Sequence, residues 1–487
     1  MKMTTKGYVN DFYRQFEELN KKLDKANNTI FSMSLTISEL SENNKSLAKE
    51  LERSNRKVQE LLLEIERLKN NNDKDSTNSS KPSSTNGYKK VITNNREKSG
   101  KAPGGQYGHK GETLTKEKID KMIEKKEIDK IITIEENKTK QTEKNTPIIT
   151  YEIDIKIEKI LIKHVYYPDE PQNISSSPVV YGETIKALCA LMYMKGSSFD
   201  TIKSCLNEIT NHQFNPSKGT IYNWIHNLSE KLSEKKYEAI KEELLKSLVL
   251  HVDETPIKIN GEQYYIHNIS NHQYTLQYVH AKRGEKAIKD FGFLKDFHGI
   301  LVHDHFRMYY NYGAGNAECN VHALRYLKGV TDFTNHQWAQ KLSNLLIEMK
   351  ARKEELLEAQ IDRISGTEYE EYKRRYLSIL EEGNLEYKSD LKTNSYKKDE
   401  RRLLTRLETY VDNHLLFMKK FYVPFSNNRA EADLRFAKIR QKIGKFRSIE
   451  GATNFTIIRS FTSTCSKNKK SLNSSLKEIF SHEMIHA

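Results

Sequence analysis

Long apolar runs are missing from this sequence. No stretch of 18 apolar residues occurs in its 487 positions, and no signal-peptide pattern opens it. The expectation is a soluble, cytoplasmic protein with no membrane partner. Cysteine is scarce. Cys189, Cys205, Cys319 and Cys465 lie far apart with no paired spacing, which argues against a disulfide framework or a four-cysteine zinc site. Apolar residues make up only 36% of the chain, while Asn, Lys and Ser are abundant, so sizeable non-globular stretches should flank a real core. Negative charge is outweighed, with 66 acidic against 80 basic residues and a net charge of +14. That surplus suits nucleic acid first and an anionic surface second. The length fits two to four domains.

What the chain does have begins with a heptad register over residues 16–68. Its a and d positions read Phe16, Leu19, Leu23, Ala26, Ile30, Met33, Ile37, Leu40, Asn44, Leu47, Leu51, Ser54, Val58, Leu61, Ile65 and Leu68. This predicts a coiled-coil dimerisation helix over residues 1–70. Asn44 at an a position favours a parallel, in-register homodimer; an antiparallel pairing within the chain is the alternative. Residues 71–112 form a basic Gly/Ser/Pro linker, which is also suited to lie along a phosphate backbone. Weak alternation at Ile149, Tyr151, Ile153, Ile155 and Ile157 predicts a small β element within 113–175.

Residues 176–246 read as helical and resemble a helix-turn-helix, with Ser217 capping the second helix. Lys218 and Asn223, near the start of that helix, are candidate DNA contacts. The other reading is a plain helical pair packed through Ile221 and Trp224.

From residue 247 the pattern becomes α/β. Asp253 ends the apolar run 248–252, and Asp304 ends the run 300–303. Between them Asn260-Gly261 signals a hairpin. Strands over 263–269 and 273–279 and a helix near 285–291 follow. Three strands, a helix and a strand, with acids on the first and fourth strands, is the order of a ribonuclease H-like core, begun in 247–333. Residues 334–424 read as an all-α insertion. The core resumes in 425–487 with Glu431 inside a basic helical segment. Two strand-end aspartates and a helical glutamate suit a two-metal phosphoryl-transfer site, because hard divalent cations take oxygen ligands.

In a helix over 427–446, Glu431, Arg435, Lys438 and Lys442 share one face, so the cations are candidate DNA-phosphate contacts. Alternatively, Glu431 and Arg435 are merely a helix-stabilising pair. Glu254 should point to the sheet face opposite Asp253, and Asp433 lies about 200° round the helix from Glu431. His303 and His305 flank Asp304, where a structural role is the commoner one. Cys319 and His322 form a Cys-x-x-His element without a second pair, and are read as structural contacts near the site.

At these residues the chain resembles the transposases of the insertion sequence sixty-six type, within the DDE transposases. The resemblance rests on 78–84, 104–111, Val180-Tyr181-Gly182, Asp253-Glu254-Thr255, Val302-His303-Asp304-His305, Cys319-Asn320-Val321-His322 and the long motif 423–431. It implies Asp253, Asp304 and Glu431 as catalytic acids and metal ligands, Mg²⁺ as cofactor with Mn²⁺ as a substitute, and DNA as partner at element ends and target. It also suggests accessory transposition proteins and a nucleoid-associated location. The family usually carries a zinc-binding cysteine module before the helical region. No cysteine occurs before position 189 here, so zinc is not expected. The expected function is DNA strand cleavage and strand transfer. The rivals are an inactive transposase-derived DNA-binding protein and a ribonuclease H-like structure-specific nuclease.

Overall fold

The computed structural model describes residues 5–73, 115–133, 151–153, 158–162, 180–334, 336–390 and 395–481. In chain order its elements are α1 (Thr5–Asp73), α2 (Lys116–Glu124), α3 (Glu183–Met194), α4 (Phe199–Ile209), α5 (Lys218–Leu232), α6 (Glu238–Leu245), β1 (Val249–Ile259), β2 (Glu262–Ser270), β3 (Thr275–His280) and α7 (Glu285–Phe291). There follow β4 (Ile300–His303), β5 (Gly315–Glu318), α8 (Asn320–Thr334), α9 (Trp338–Glu358), α10 (Gly366–Ser389), α11 (Ser395–Thr409), the one-turn α12 (Val411–His414) and α13 (Leu416–Lys419), α14 (Asn428–Ile443), α15 (Ile449–Lys467) and α16 (Leu472–Ser481). The chain divides into two compact units, one of residues 1–88 and 320–421, the other of residues 89–319 and 422–487. The linker and most of the β element expected within 113–175 lie outside the described residues. The described parts of that span are α2, capped by Thr115, and irregular chain at 151–153 and 158–162.

In the second unit one mixed sheet runs in the order β3-β2-β1-β4-β5. The first three strands are antiparallel, and β4 and β5 run parallel to β1. The β1–β2 turn is Asn260-Gly261, with φ of 46° and 90°. Both residues must adopt positive φ, which is why Asn-Gly serves there. At the entry to β4, a Cβ on Gly299 would lie 2.6 Å from the Leu248 carbonyl oxygen. Only glycine lets the two chains run that close, and this aligns β4 beside β1.

Two apolar layers enclose the sheet. Ile257, Ile259 and Ile266 pack with Leu434 of α14, Phe455 and Ile458 of α15, and α3, α4, α5 and α16. Leu250, Val252, Ile269 and Leu276 pack on the other layer with Ile240, Leu244, Ile288, Phe297 and Tyr309. Alternate residues of β1 thus serve opposite layers, as the strand's period of two requires. Ser217 caps α5 by accepting a bond from the Thr220 N–H at 3.0 Å.

Every regular element described in the first unit is a helix. Along α1 the apolar heptad positions are exposed, Leu19 at 66% and Leu51 at 62% among them. Residues 320–421 have their own core around Trp338, Leu342, Leu346, Tyr376 and Leu404. Its polar centre is buried Glu400, which accepts hydrogen bonds from Trp338 Nε1 and His336 Nδ1, both at 2.7 Å. The second stretch of this unit begins at Asn320 with α8.

Candidate active site

The parallel pairing of β1 and β4 sets the site. His251 pairs with Val302. Two residues further on come Asp253 and Asp304: Asp304 lies just past the end of β4, but Asp253 is inside β1 rather than at a strand end as expected, because β1 continues to Ile259 paired with β2. Asp253 is half-buried, and its Oδ1 accepts a bond from the Glu254 N–H at 2.8 Å. Asp304 is also half-buried, and its Oδ1 is sealed from solvent without a hydrogen-bond partner among the described residues. An orphaned carboxylate oxygen costs free energy unless something else satisfies it.

Glu431 reaches this region on α14, which packs against β1 and β2. Its first turn is fixed by Asn427, a residue buried to 1% exposure. The Asn427 side chain donates from Nδ2 to the Val252 carbonyl at 2.8 Å, and its Oδ1 lies 3.0 Å from His251 Nδ1. Because the amide nitrogen serves Val252, the oxygen must accept, so His251 carries its proton on Nδ1. Burial lowers the His251 pKa to about 4, so the ring is a neutral donor. The Asn427 backbone N–H also donates to Cys319 Sγ at 3.1 Å, and the Asn427 carbonyl accepts from the Glu431 N–H at 3.4 Å. One residue, through its side-chain amide and its backbone, therefore joins the strand carrying Asp253, the residue after β5 and the helix carrying Glu431.

The electrostatics are those of crowded acids. Burial raises the Asp253 pKa well above the ordinary carboxylate range, and the charges of Asp304, Glu254 and Glu431 raise it further. Like charges held together in a poorly solvated place favour protonation or a cation. Among the described residues, no three His, Cys, Asp or Glu side chains converge to hold one metal ion. The donor set fits hard divalent cations all the same: it is all oxygen, it is mutually repelling, and one oxygen has no other partner among the described residues.

The other residues singled out from sequence separate clearly. Glu254 points away from Asp253, as alternation requires. Its buried carboxylate accepts from Arg283 Nε at 2.6 Å and from the Tyr309 hydroxyl at 2.8 Å. Asp433 is buried beneath α14 and pairs with Lys467 Nζ at 2.7 Å, with Ser463 and Thr275 beside it. His303 is fully buried, and its Nε2 is 3.2 Å from Asn316 Oδ1. His305, at φ 74°, turns its Nδ1 to Glu318 at 2.5 Å. Arg435, Lys438 and Lys442 are exposed along α14, with Glu431 half-buried at its start. Lys218 and Asn223 are exposed on α5, and Lys218 pairs with Asp200 at 3.0 Å. Ile221 and Trp224 of the same helix are buried in the core. Cys319 is buried in the sheet-bearing unit, whereas His322 lies on α8 of the helical unit. Asn427, His251, Arg283 and Glu318 escaped sequence reasoning. The only signal for any of them was the Asn427-Asn428 pair just ahead of Glu431.

Among the described residues, no helix is long and apolar enough to cross a membrane. No curated protein and no solved structure matches the chain. A family model described as the transposase IS66 family matches residues 179–454, more than half of the sequence and spanning all three acids. The chain belongs to the transposase IS66 family.

Proposed function

We propose that the protein is a DDE transposase, cleaving DNA at the ends of its element and joining the freed end to target DNA. The observation that carries this reading is the pair of Asp253, just past the parallel-paired part of β1, and Asp304, just past the end of β4, with a buried Asp304 oxygen that has no partner among the described residues, close to the helix of Glu431. The strand order β3-β2-β1-β4-β5, antiparallel on one side and parallel on the other, supports a ribonuclease H-like core for that site.

In the first reaction, water attacks the phosphorus and the bond to the 3′ oxygen breaks, leaving a 3′-hydroxyl. In the second, that hydroxyl attacks a target phosphodiester and displaces another 3′ oxygen, so no covalent protein–DNA intermediate is needed. Asp253, Asp304 and Glu431 would hold divalent cations, Mg²⁺ or in its place Mn²⁺. When bound, these cations would sharpen the attacking oxygen and stabilise the leaving one. The protein's own work is positioning and charge neutralisation. Asn427 fixes Glu431 relative to the Asp253 strand. Arg435, Lys438 and Lys442 grip phosphates beside the scissile bond. Lys218 and Asn223 are exposed at the start of α5 and available to DNA, while Ile221 and Trp224 anchor that helix. The exposed heptad face of α1, with Asn44 setting its register, supports a parallel homodimer.

The test uses the full chain, Mg²⁺ and a duplex carrying the DNA that flanks the gene. Cleavage followed by joining to a second DNA supports the proposal. Cleavage without joining indicates a structure-specific nuclease, and binding with neither reaction indicates a DNA-binding derivative.

A further inference from the structure

A second set of cations lies on the Glu254 side of the sheet, away from α14. Arg283 sits in the turn between β3 and α7. Its Nε donates to buried Glu254 at 2.6 Å, and its guanidinium carbon lies 4.7 Å above the centre of the Phe306 ring. Glu254 is itself held by the Tyr309 hydroxyl at 2.8 Å. The guanidinium plane is thus fixed on two sides, yet half of the Arg283 side chain remains exposed. Its two terminal nitrogens have no hydrogen-bond partner among the described residues. Arg307 follows Phe306 directly, is exposed, and its side chain makes no ion pair among the described residues. Both arginines therefore flank the segment that starts at Asp304. Phe306 is two residues past Asp304, so the stacked guanidinium is tied to the segment that Asp304 opens.

A salt bridge that only neutralised Glu254 would not need a fork turned outward. A half-exposed guanidinium held at Nε, with no partner on its terminal nitrogens among the described residues, is preorganised for bidentate contact with a phosphodiester. Little side-chain entropy is left to lose on binding. We propose that Arg283 and Arg307 form a second DNA-phosphate site beside the acid centre, on the sheet face opposite the α14 row. It would grip the backbone on the other side of the reacting phosphate. This rests on reading the site as one that processes DNA.

The experiment measures binding of the full chain to a fluorescein-labelled random-sequence duplex across a NaCl series. The variants are Arg283→Gln with Arg307→Gln, and the same pair combined with Glu254→Gln so that no buried carboxylate is left unpaired. Losing two phosphate contacts should flatten the slope of log K against log salt by about 1.8, at about 0.9 per contact. Affinity should fall in both variants, whether or not the first also melts at a lower temperature. A wild-type slope in the stably folded triple variant would overturn the proposal and leave Arg283 as the partner of Glu254 alone. Failure of the wild-type chain to bind duplex DNA would instead overturn the DNA reading, and this site with it.

Discussion

Both ends of the Asn427 amide are engaged by β1, and its backbone serves Cys319 and Glu431. Asn427→Asp places an oxygen against the Val252 carbonyl and removes the donor. We expect a loss of about 1–3 kcal/mol in chemical denaturation, together with a fall in cleavage of more than about tenfold, since a misplaced acid costs rate. An unchanged denaturation midpoint would show that the amide is not a clamp. In the helical unit, Lys353 is buried at 7% exposure between Phe417 and Phe421, with Nζ 5.7 and 5.6 Å from the ring centres. Burial lowers its pKa to about 8, below the ordinary 10.5. Between those values the unfolded chain binds more protons, so the wild type gains stability as pH rises through that window. Lys353→Met should therefore raise the melting temperature at pH 7, and its advantage should shrink as pH rises from 8 towards 10.5. A constant advantage across that range would contradict the shift. None of these roles was legible in the sequence. Each depends on partners tens to hundreds of positions away, whereas Asp253 and Asp304 stand out because each ends a local apolar run.

At the scale of elements, the strands were the most legible parts. Alternation over 263–269 and 273–279 and the Asn260-Gly261 turn are local signals, and β2, β3 and the positive φ values follow them closely. The return of the chain to the helical unit at Asn320 has no local signal, because α8 continues directly from the Cys319 motif without a change in composition. α14 is the element that the proposed mechanism relies on most. One side buries Ala430, Asp433, Leu434, Ala437 and Arg440, and the other exposes Arg435, Lys438 and Lys442. Replacing those three exposed cations with Gln leaves the buried side intact. It should weaken binding to specific and random DNA alike and flatten the salt slope by up to about 2.7, at about 0.9 per phosphate. Loss of sequence preference with an unchanged slope would instead make α14 a reader of bases.

For the whole molecule, a net charge of +14, an exposed heptad face and an acid centre in the sheet-bearing unit are the features behind the proposal of a DNA-processing enzyme that works as an assembly. Deleting residues 16–68 should shift the protein towards monomer in analytical ultracentrifugation and weaken complexes that pair two DNA ends. An unchanged oligomer would place the interface elsewhere. The central claim is that Asp253, Asp304 and Glu431 act together on DNA, and Mg²⁺-dependent cleavage by single variants tests it most directly. Asp253→Asn, Asp304→Asn and Glu431→Gln should each abolish cleavage of the flanking DNA while leaving duplex binding largely intact. Near wild-type cleavage by any one of them would contradict the account.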